Sequence, residues 1–286
     1  MKIGFIGTGV MGAAIAGHLM DAGHELTVYN RTKSKADTLV AAGASWADTP
    51  TKVAQNSEVV FTMVGFPSDV EEVYFGKNGI FNGLEKEGIV VDMTTSRPSL
   101  AVKIAKYAKE HGFHAIDAPV SGGDIGAKNA TLTIMAGGEE ETYKSLLPIF
   151  KVISKATNLF GFAGAGQHAK MANQIMIAGT MTGLTEMLLY AQHAGLDEQK
   201  ILETLSAGGA NNWSMNNYVP RILKNDFTPG FFARHFLKDL RIALEEADKM
   251  GLDLKATAEA KRLYEVMVDV KGLGSQGTQG LINIYK

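Results

Sequence analysis

The chain has 286 residues, 45% of them apolar and 20% charged, with a net charge of −2; that is a length and composition for two folded domains, not for a disordered segment. Lys and Arg total 28 against 30 Asp and Glu, so no global basic field exists to hold nucleic acid or an anionic membrane. With no Cys at all, disulfide frameworks, thiolate zinc sites, iron–sulfur clusters and Cys nucleophiles are excluded together.

In chain order, KIGFI, ELTVYN, EVVFTMV, GIVVDM, FHAIDAP and TLTIMAG are short runs rich in Val, Ile, Phe and Thr. Gly, Pro, Asp or Asn bound them, so they are predicted strands. Helical patterns lie between them, for example Lys33 to Ala42 and Ser99 to Glu110. This alternation, from Lys2 to about Phe160, predicts parallel strands joined by crossover helices. After about Gly164 the strand signals stop. One apolar helical pattern runs from near Gly166 to His193, roughly 40 Å at ~1.5 Å per residue. Further helices are predicted over Asp197–Ala207, Phe231–Met250 and Ala256–Val270. In the second of these, Phe232, Phe236, Leu240, Ala243, Leu244 and Ala247 recur at three- and four-residue steps. A helix as long and apolar as 166–193 needs cover nearly all round.

The N-terminal MKIGFIGTGVMG is broken by glycines too often for a signal peptide. The uncharged stretch Met171–Thr185 falls short of the ~20 apolar residues a membrane span needs. A cytoplasmic protein with no membrane and no nucleic-acid partner is the expectation.

Glycine is in excess, at 32 residues, about 11% against a usual ~7%, and it clusters. Gly7, Gly9 and Gly12 form GxGxxG directly after KIGFI and ahead of the helical run Val10–Asp21. The first glycine allows a tight turn, the second lets a pyrophosphate approach the backbone, and the third lets helix and strand pack closely. The helix start then offers free N–H groups to phosphate. Gly7, Thr8, Gly9, Val10, Met11 and Gly12 are therefore the expected dinucleotide-binding segment of a Rossmann domain.

The end of the second strand reads which dinucleotide binds, because an acidic residue about 20 positions on normally takes the ribose hydroxyls. Here Asn30, Arg31 and Thr32 occupy that place. No carboxylate repels a 2′-phosphate and Arg31 can pair with it. NADP(H) is expected ahead of NAD(H).

A second cluster, DAPVSGG over Asp117–Gly123, closes another predicted strand. Ser121, Gly122 and Gly123 offer a hydroxyl and consecutive backbone N–H groups to an anion; a plain tight turn is the alternative. Thr94 and Thr95, in DMTTSRP, end a neighbouring strand. In the third cluster, GAGQHAKMANQ, Lys170, Asn173 and Gln174 stand at i, i+3 and i+4 on one helix face. A lysine between Ala169 and Met171 on an apolar helix is costly to bury without a purpose. Partly desolvated lysines exchange protons near neutrality. The bland alternative is a cation reaching for water.

GFIGTGVMG, NRT, DAPVSGG, GAGQHAKMANQ and FFARHFLKDLRIA, in this order and spacing, resemble the β-hydroxyacid dehydrogenase family. That family includes 3-hydroxyisobutyrate dehydrogenase, tartronate semialdehyde reductase and glyoxylate/succinic semialdehyde reductases, and is related to 6-phosphogluconate dehydrogenase. The likeness runs from Lys2 to about Val270. It implies an N-terminal doubly wound Rossmann domain over residues 1–163. An all-helical substrate and oligomerisation domain over 164–286 would follow, joined by the long helix. It implies Lys170 as catalytic acid/base with Asn173 placing the substrate. Ser121, Gly122 and Gly123 would hold a substrate carboxylate, with Gln174, Phe231 and Asp239 in the pocket and Thr95 and Lys238 at the cofactor. Many members carry Asn where this chain has Gln174, one methylene longer.

The implied reaction is hydride transfer between NADP(H) and a small hydroxy acid or its semialdehyde, with no metal. The seven His residues show no ligand spacing, and His168 points to a different helix face from Lys170. Imine reductases share the architecture but usually replace the lysine. A non-catalytic dinucleotide-binding sensor is a further alternative, against which Lys170 also argues. A homodimer or homotetramer is expected from the apolar surface of the helical half.

Overall fold

The computed structural model describes residues 1–286 and divides them into two units, Met1–Lys170 and Met171–Lys286. In the first, β1 (Lys2–Ile6), β2 (Glu25–Tyr29), β3 (Ser45–Trp46), β4 (Val59–Thr62), β5 (Ile89–Asp92) and β6 (His114–Asp117) form a parallel array. Their spatial order is β3-β2-β1-β4-β5-β6. The helices between them are α1 (Val10–Asp21), α2 (Asp37–Ala41), α3 (Pro50–Ala54), α4 (Pro67–Phe75) and α5 (Pro98–Glu110).

The sheet is doubly wound because successive strand residues feed two cores. Phe5, Phe61 and Val91 pack with Ile15 and Leu19 of α1. Ile6, Val60 and Val90 pack on the other side with Val53 of α3, Val70 and Tyr74 of α4, and Leu100 and Ile104 of α5. Strands covered on both faces read as unbroken apolar runs, and this made β1, β4 and β5 legible. The order reverses between β1 and β4, and open α/β sheets bind ligands at such a switch point.

Beyond β6 the sheet departs from an all-parallel arrangement. β7 (Val120–Ser121), α6 (Gly123–Lys128) and β8 (Leu132–Gly138) follow, and β8 pairs antiparallel with both β6 and β7. The link through residues 122–131 holds one short helix, and a parallel crossover needs a dozen residues or more. After α7 (Glu140–Ile153), β9 (Ser154–Leu159) pairs parallel with β8. The sequence carries no sign of β9, because SKATNL is polar and has no buried residue. Nor did it announce α7, which carries Pro148 inside it, a residue that normally breaks helices.

The long helix α8 runs Ala165–His193, followed by α9 (Glu198–Ser206), α10 (Trp213–Leu223), α11 (Ala233–Lys249) and α12 (Lys255–Glu265). A π-helical turn, Val266–Val270, extends α12 to the predicted end. In the second unit, Met181, Leu184 and Leu188 of α8 pack with Met215, Tyr218, Val219 and Ile222 of α10. Ala178 packs with Phe236, Leu237 and Leu240 of α11 and Leu263 and Tyr264 of α12. Cover is not complete around α8. Met176, Gly179, Gly183, Glu186 and Tyr190 are exposed along one stripe, because their spacing follows the helical period. No helix is long and apolar enough to cross a membrane.

Candidate active site

The turn from β1 into α1 shows what each glycine does. Gly7 sits at φ +100°, and a Cβ there would lie 2.2 Å from the Met63 carbonyl oxygen. A Cβ on Gly12 would lie 2.0 Å from the Gly7 carbonyl oxygen. Both positions exclude any side chain. Gly9 differs: a Cβ would meet nothing within 4 Å, so its backbone borders open space. The N-terminus of α1 has no side-chain cap and no acidic residue in its first turn. The Thr8 hydroxyl is buried without a hydrogen-bond partner. Open space, uncapped N–H groups and an orphaned hydroxyl fit the pyrophosphate of a dinucleotide. Val10 is exposed and Met11 half-buried at the same helix start.

The second strand's end is tied to this loop. Asn30 Oδ1 accepts from the Thr8 amide at 3.0 Å and its Nδ2 donates to the Thr32 carbonyl at 2.8 Å. Arg31 is exposed and lies 3.2 Å from Asp69 Oδ1. The other Asp69 oxygen accepts from the Phe66 amide at the start of α4. Asp69 therefore anchors a helix and steadies the arginine at once.

Around the start of α8, side chains from three strand ends converge. Asp117, the last residue of β6, accepts from the Gly164 amide at 2.7 Å through Oδ1 and from the Gln167 amide at 2.8 Å through Oδ2. Burial pushes its carboxyl up to about 6, against the opposing pull of those two amides. The Gln167 side chain accepts from the Ser96 amide at 2.9 Å and donates to the Thr94 carbonyl at 2.8 Å, gripping the loop that carries half-buried Thr95. Asp92 at the end of β5 accepts from the Thr62 hydroxyl and the Thr94 amide.

Lys170 is buried, with 6% of its surface exposed. Its Nζ donates to the Val120 carbonyl at 2.8 Å, one residue before Ser121. Gly122 and Gly123 then sit at φ +127° and +63°, a conformation that favours glycine and turns the chain sharply after Ser121. The lysine and the predicted carboxylate anchor are thus neighbours. His168 is exposed and takes no part in this cluster.

In the second unit two hydrogen bonds and one ion pair link four predicted residues. Asn173 Nδ2 donates to Gln174 Oε1 at 2.8 Å, and Gln174 Nε2 donates to Asp239 Oδ2 at 2.6 Å. Lys238 Nζ lies 3.1 Å from Asp239 Oδ1. Gln174 and Asp239 are buried. The departure at position 174 is thereby accounted for: glutamine spans from Asn173 to the carboxylate. Phe231, ahead of α11, stacks edge-on to Phe236 at 5.9 Å.

Asp117, Val120, Gln167 and Asp69 were not singled out from the sequence as site residues. Asp117 opens DAPVSGG and Gln167 lies in GAGQ, so both belong to the glycine clusters. Their partners are 50 and 71 residues away in sequence, which no local pattern reveals.

Comparison with known proteins decides the family. Residues 2–164 match the NAD-binding domain of 6-phosphogluconate dehydrogenase. Residues 164–285 match the NAD-binding domain of NADP-dependent 3-hydroxyisobutyrate dehydrogenase. The chain belongs to the β-hydroxyacid dehydrogenase family. It is 54% identical over 98% of its length to a probable 3-hydroxyisobutyrate dehydrogenase-like protein of Arabidopsis thaliana, covering 84% of that protein. It is 38% identical to the 2-hydroxy-3-oxopropionate reductase of Escherichia coli, over 92% of this chain and 90% of that one. The structure of Mycobacterium tuberculosis 3-hydroxyisobutyrate dehydrogenase with L-serine superposes with a TM-score of 0.89 at 26% identity, covering 100% of this chain and 99% of that one. The protein is an NAD(P)-dependent hydroxyacid dehydrogenase with a Rossmann domain and an α-helical C-terminal domain.

Proposed function

We propose that this β-hydroxyacid dehydrogenase is an NADP(H)-preferring reductase of a small oxoacid or semialdehyde that carries a carboxylate, with Lys170 as acid/base. Glyoxylate, succinic semialdehyde, tartronate semialdehyde and the 3-hydroxyisobutyrate couple are the substrate types. The observation that carries this reading is the buried Lys170 amine, 2.8 Å from the Val120 carbonyl and next to the Ser121–Gly123 turn. The E. coli relative is named as a reductase of one such oxoacid.

When bound, the nicotinamide ring supplies or accepts hydride at the carbon that bears the oxygen. Ser121 Oγ and the amides of Gly122 and Gly123 hold the substrate carboxylate. Lys170 Nζ gives a proton to the carbonyl oxygen in reduction and takes the hydroxyl proton in oxidation. Asn173 orients that oxygen, Gln174 and Asp239 hold the Asn173 amide, and Phe231 supplies an apolar wall. Thr8 to Met11, Thr95 and Lys238 serve the cofactor, and Arg31 with Thr32 takes the 2′-phosphate. Asn30 puts an amide at the end of β2, where a carboxylate would repel that phosphate; the Asp69 carboxylate beside Arg31 comes from α4 instead.

Residues 1–163 are the nucleotide half of this proposal and 164–286 the substrate and oligomer half. The exposed stripe of α8, with Met176 and Tyr190, supports a homodimer or homotetramer. The absence of Cys supports a reducing, cytoplasmic setting.

The test follows NADPH absorbance at 340 nm against the four substrate types. Lys170→Ala is expected to lower kcat about 10³-fold, within the range for a lost acid/base group; unchanged turnover removes Lys170 from the mechanism. Arg31→Ala is expected to raise the KM for NADPH about tenfold, the scale of one lost charge-assisted bond, and to leave NADH unchanged. Equal loss for both cofactors defeats the phosphate assignment.

A further inference from the structure

We propose that Asp117 is a positioning residue for Lys170, gripping the start of the helix that carries the amine through both of its carboxylate oxygens. The proposal rests on the reading of Lys170 as acid/base and extends it to the group that fixes where that amine stands.

The geometry is specific. One oxygen takes the Gly164 amide and the other the Gln167 amide, so the first turn of α8 is held at two points. Gln167 is three residues before Lys170, so the grip acts one turn below the amine. Space around the carboxylate is closed. A Cβ on Gly137 would lie 2.7 Å from Asp117 Oδ1, and a Cβ on Gly166 would lie 2.8 Å from Oδ2. Two glycines on two different elements let this carboxylate approach so closely.

Holding both amides firmly favours the ionised form. A carboxylate accepts strongly through both oxygens, whereas a protonated carboxyl makes one oxygen a hydroxyl, a donor and a weaker acceptor, and loosens one amide. The groups around it set the balance. Burial raises the carboxyl most, and from β5 Asp92 adds to it by like charge; from α4 the buried Tyr74 hydroxyl faces both carboxylates. Asp92 and Asp117 border one small cavity with Ala101, Ile104 and Ala105 of α5, all of them uncharged apart from the two carboxylates. From β8, the approach is made by Gly137. On α8 itself, Lys170 is the buried cation and His168 is exposed. On β6, His114 pairs with Glu87 at the strand's start. With the carboxyl at about 6, the grip loosens as pH falls through that value.

The experiment measures kcat and KM for reduction of succinic semialdehyde by NADPH from pH 5 to 8 in the wild type, Asp117→Asn and Lys170→Ala. Wild-type kcat is expected to fall on the acid side with a midpoint near pH 6. The direction separates it from Lys170, which as a proton donor in reduction loses activity on the alkaline side. Asp117→Asn mimics the neutral acid, so its kcat is expected to sit about tenfold low and flat across the acid window, with the KM for NADPH within twofold. An Asp117→Asn enzyme that keeps the wild-type kcat and its acid limb overturns the proposal. Should that variant not fold, the wild type alone decides through nuclear magnetic resonance of the Gly164 and Gln167 amides. Their titration at the kcat midpoint supports the proposal, and titration elsewhere overturns it. Turnover surviving in Lys170→Ala defeats the lysine reading. A dead Lys170→Ala beside a wild-type-like Asp117→Asn defeats the Asp117 assignment alone.

Discussion

Two glycine-rich turns lead from the sheet into a helix in the first unit, and they end in opposite ways. At Gly7–Gly12 the helix start is open: no side chain caps it, and Gly9 borders empty space. At Gly164–Gly166 the helix start is sealed by Asp117. Both satisfy the same physics, since a helix leaves its first amides without partners. One turn leaves them without an internal acceptor, where the proposed function puts a ligand's phosphate, and the other gives them to the protein's own carboxylate. Glycine spacing alone therefore does not mark an anion site. What marks it is the absence of an internal acceptor.

The strongest way to break this comparison is Gly166→Ala. A Cβ there would lie 2.4 Å from the Met135 carbonyl oxygen and 2.7 Å from the Asp117 carbonyl oxygen. Both are backbone atoms, so no side chain can swing aside. We expect a loss of about 3 kcal/mol or more, the upper range for overpacking, measured by urea unfolding. A variant as stable as the wild type means that this helix start is looser than the contacts imply.

Next in size is the pH dependence of stability. The Asp117 carboxyl moves from an ordinary value of 3.8 to about 6 on folding, chiefly through burial. Between those two values the folded state binds more protons than the unfolded state. Stability contributed by this group is therefore present below about pH 4 and is lost as pH rises to about 6, by roughly 2–3 kcal/mol. Above pH 6 the contribution is flat. Other carboxylates shift in the opposite sense, Asp226 and Glu259 among them. The measurement is therefore the difference between wild type and Asp117→Asn across pH 4–7. A difference that does not change with pH would mean that the carboxyl titrates at its ordinary value.

The open turn was legible from the sequence and the sealed one was not. GxGxxG after KIGFI marks a strand, a turn and a helix within a dozen residues, and Gly7 and Gly12 stand where the backbone leaves no room for a side chain, as their places in that motif imply. The central strands were legible because both of their faces are buried. Lys170 was legible because a charge on an apolar helix needs a reason. Its surroundings were not, because Val120 and Asp117 approach from residues about 50 positions away. Short helices beginning at Pro50 and Pro67, and the longer ones containing Pro148 and Pro220, were hidden by proline and by length. β9 was hidden because an edge strand need not be apolar. Gln174 could be flagged as unusual from sequence, but its bond to Asp239 depends on packing between α8 and α11.

The smallest expected effect sharpens the comparison most, because it separates folding from binding within one turn. Gly9 has φ −74° and ψ −166°, a backbone any residue adopts, and its Cβ would touch nothing. Gly9→Ala should therefore fold with a stability change of no more than about 1 kcal/mol, the scale of a poorer N-cap. The methyl group would stand in the space through which a pyrophosphate reaches the backbone. NADPH affinity is expected to fall about tenfold, near 1.4 kcal/mol, when titrated by quenching of intrinsic fluorescence. Retained affinity would mean that the phosphates approach from elsewhere along α1. A matched loss of stability would mean that Gly9 serves the fold as Gly7 and Gly12 do, and that the open space beside it is not what distinguishes this turn from the one Asp117 closes.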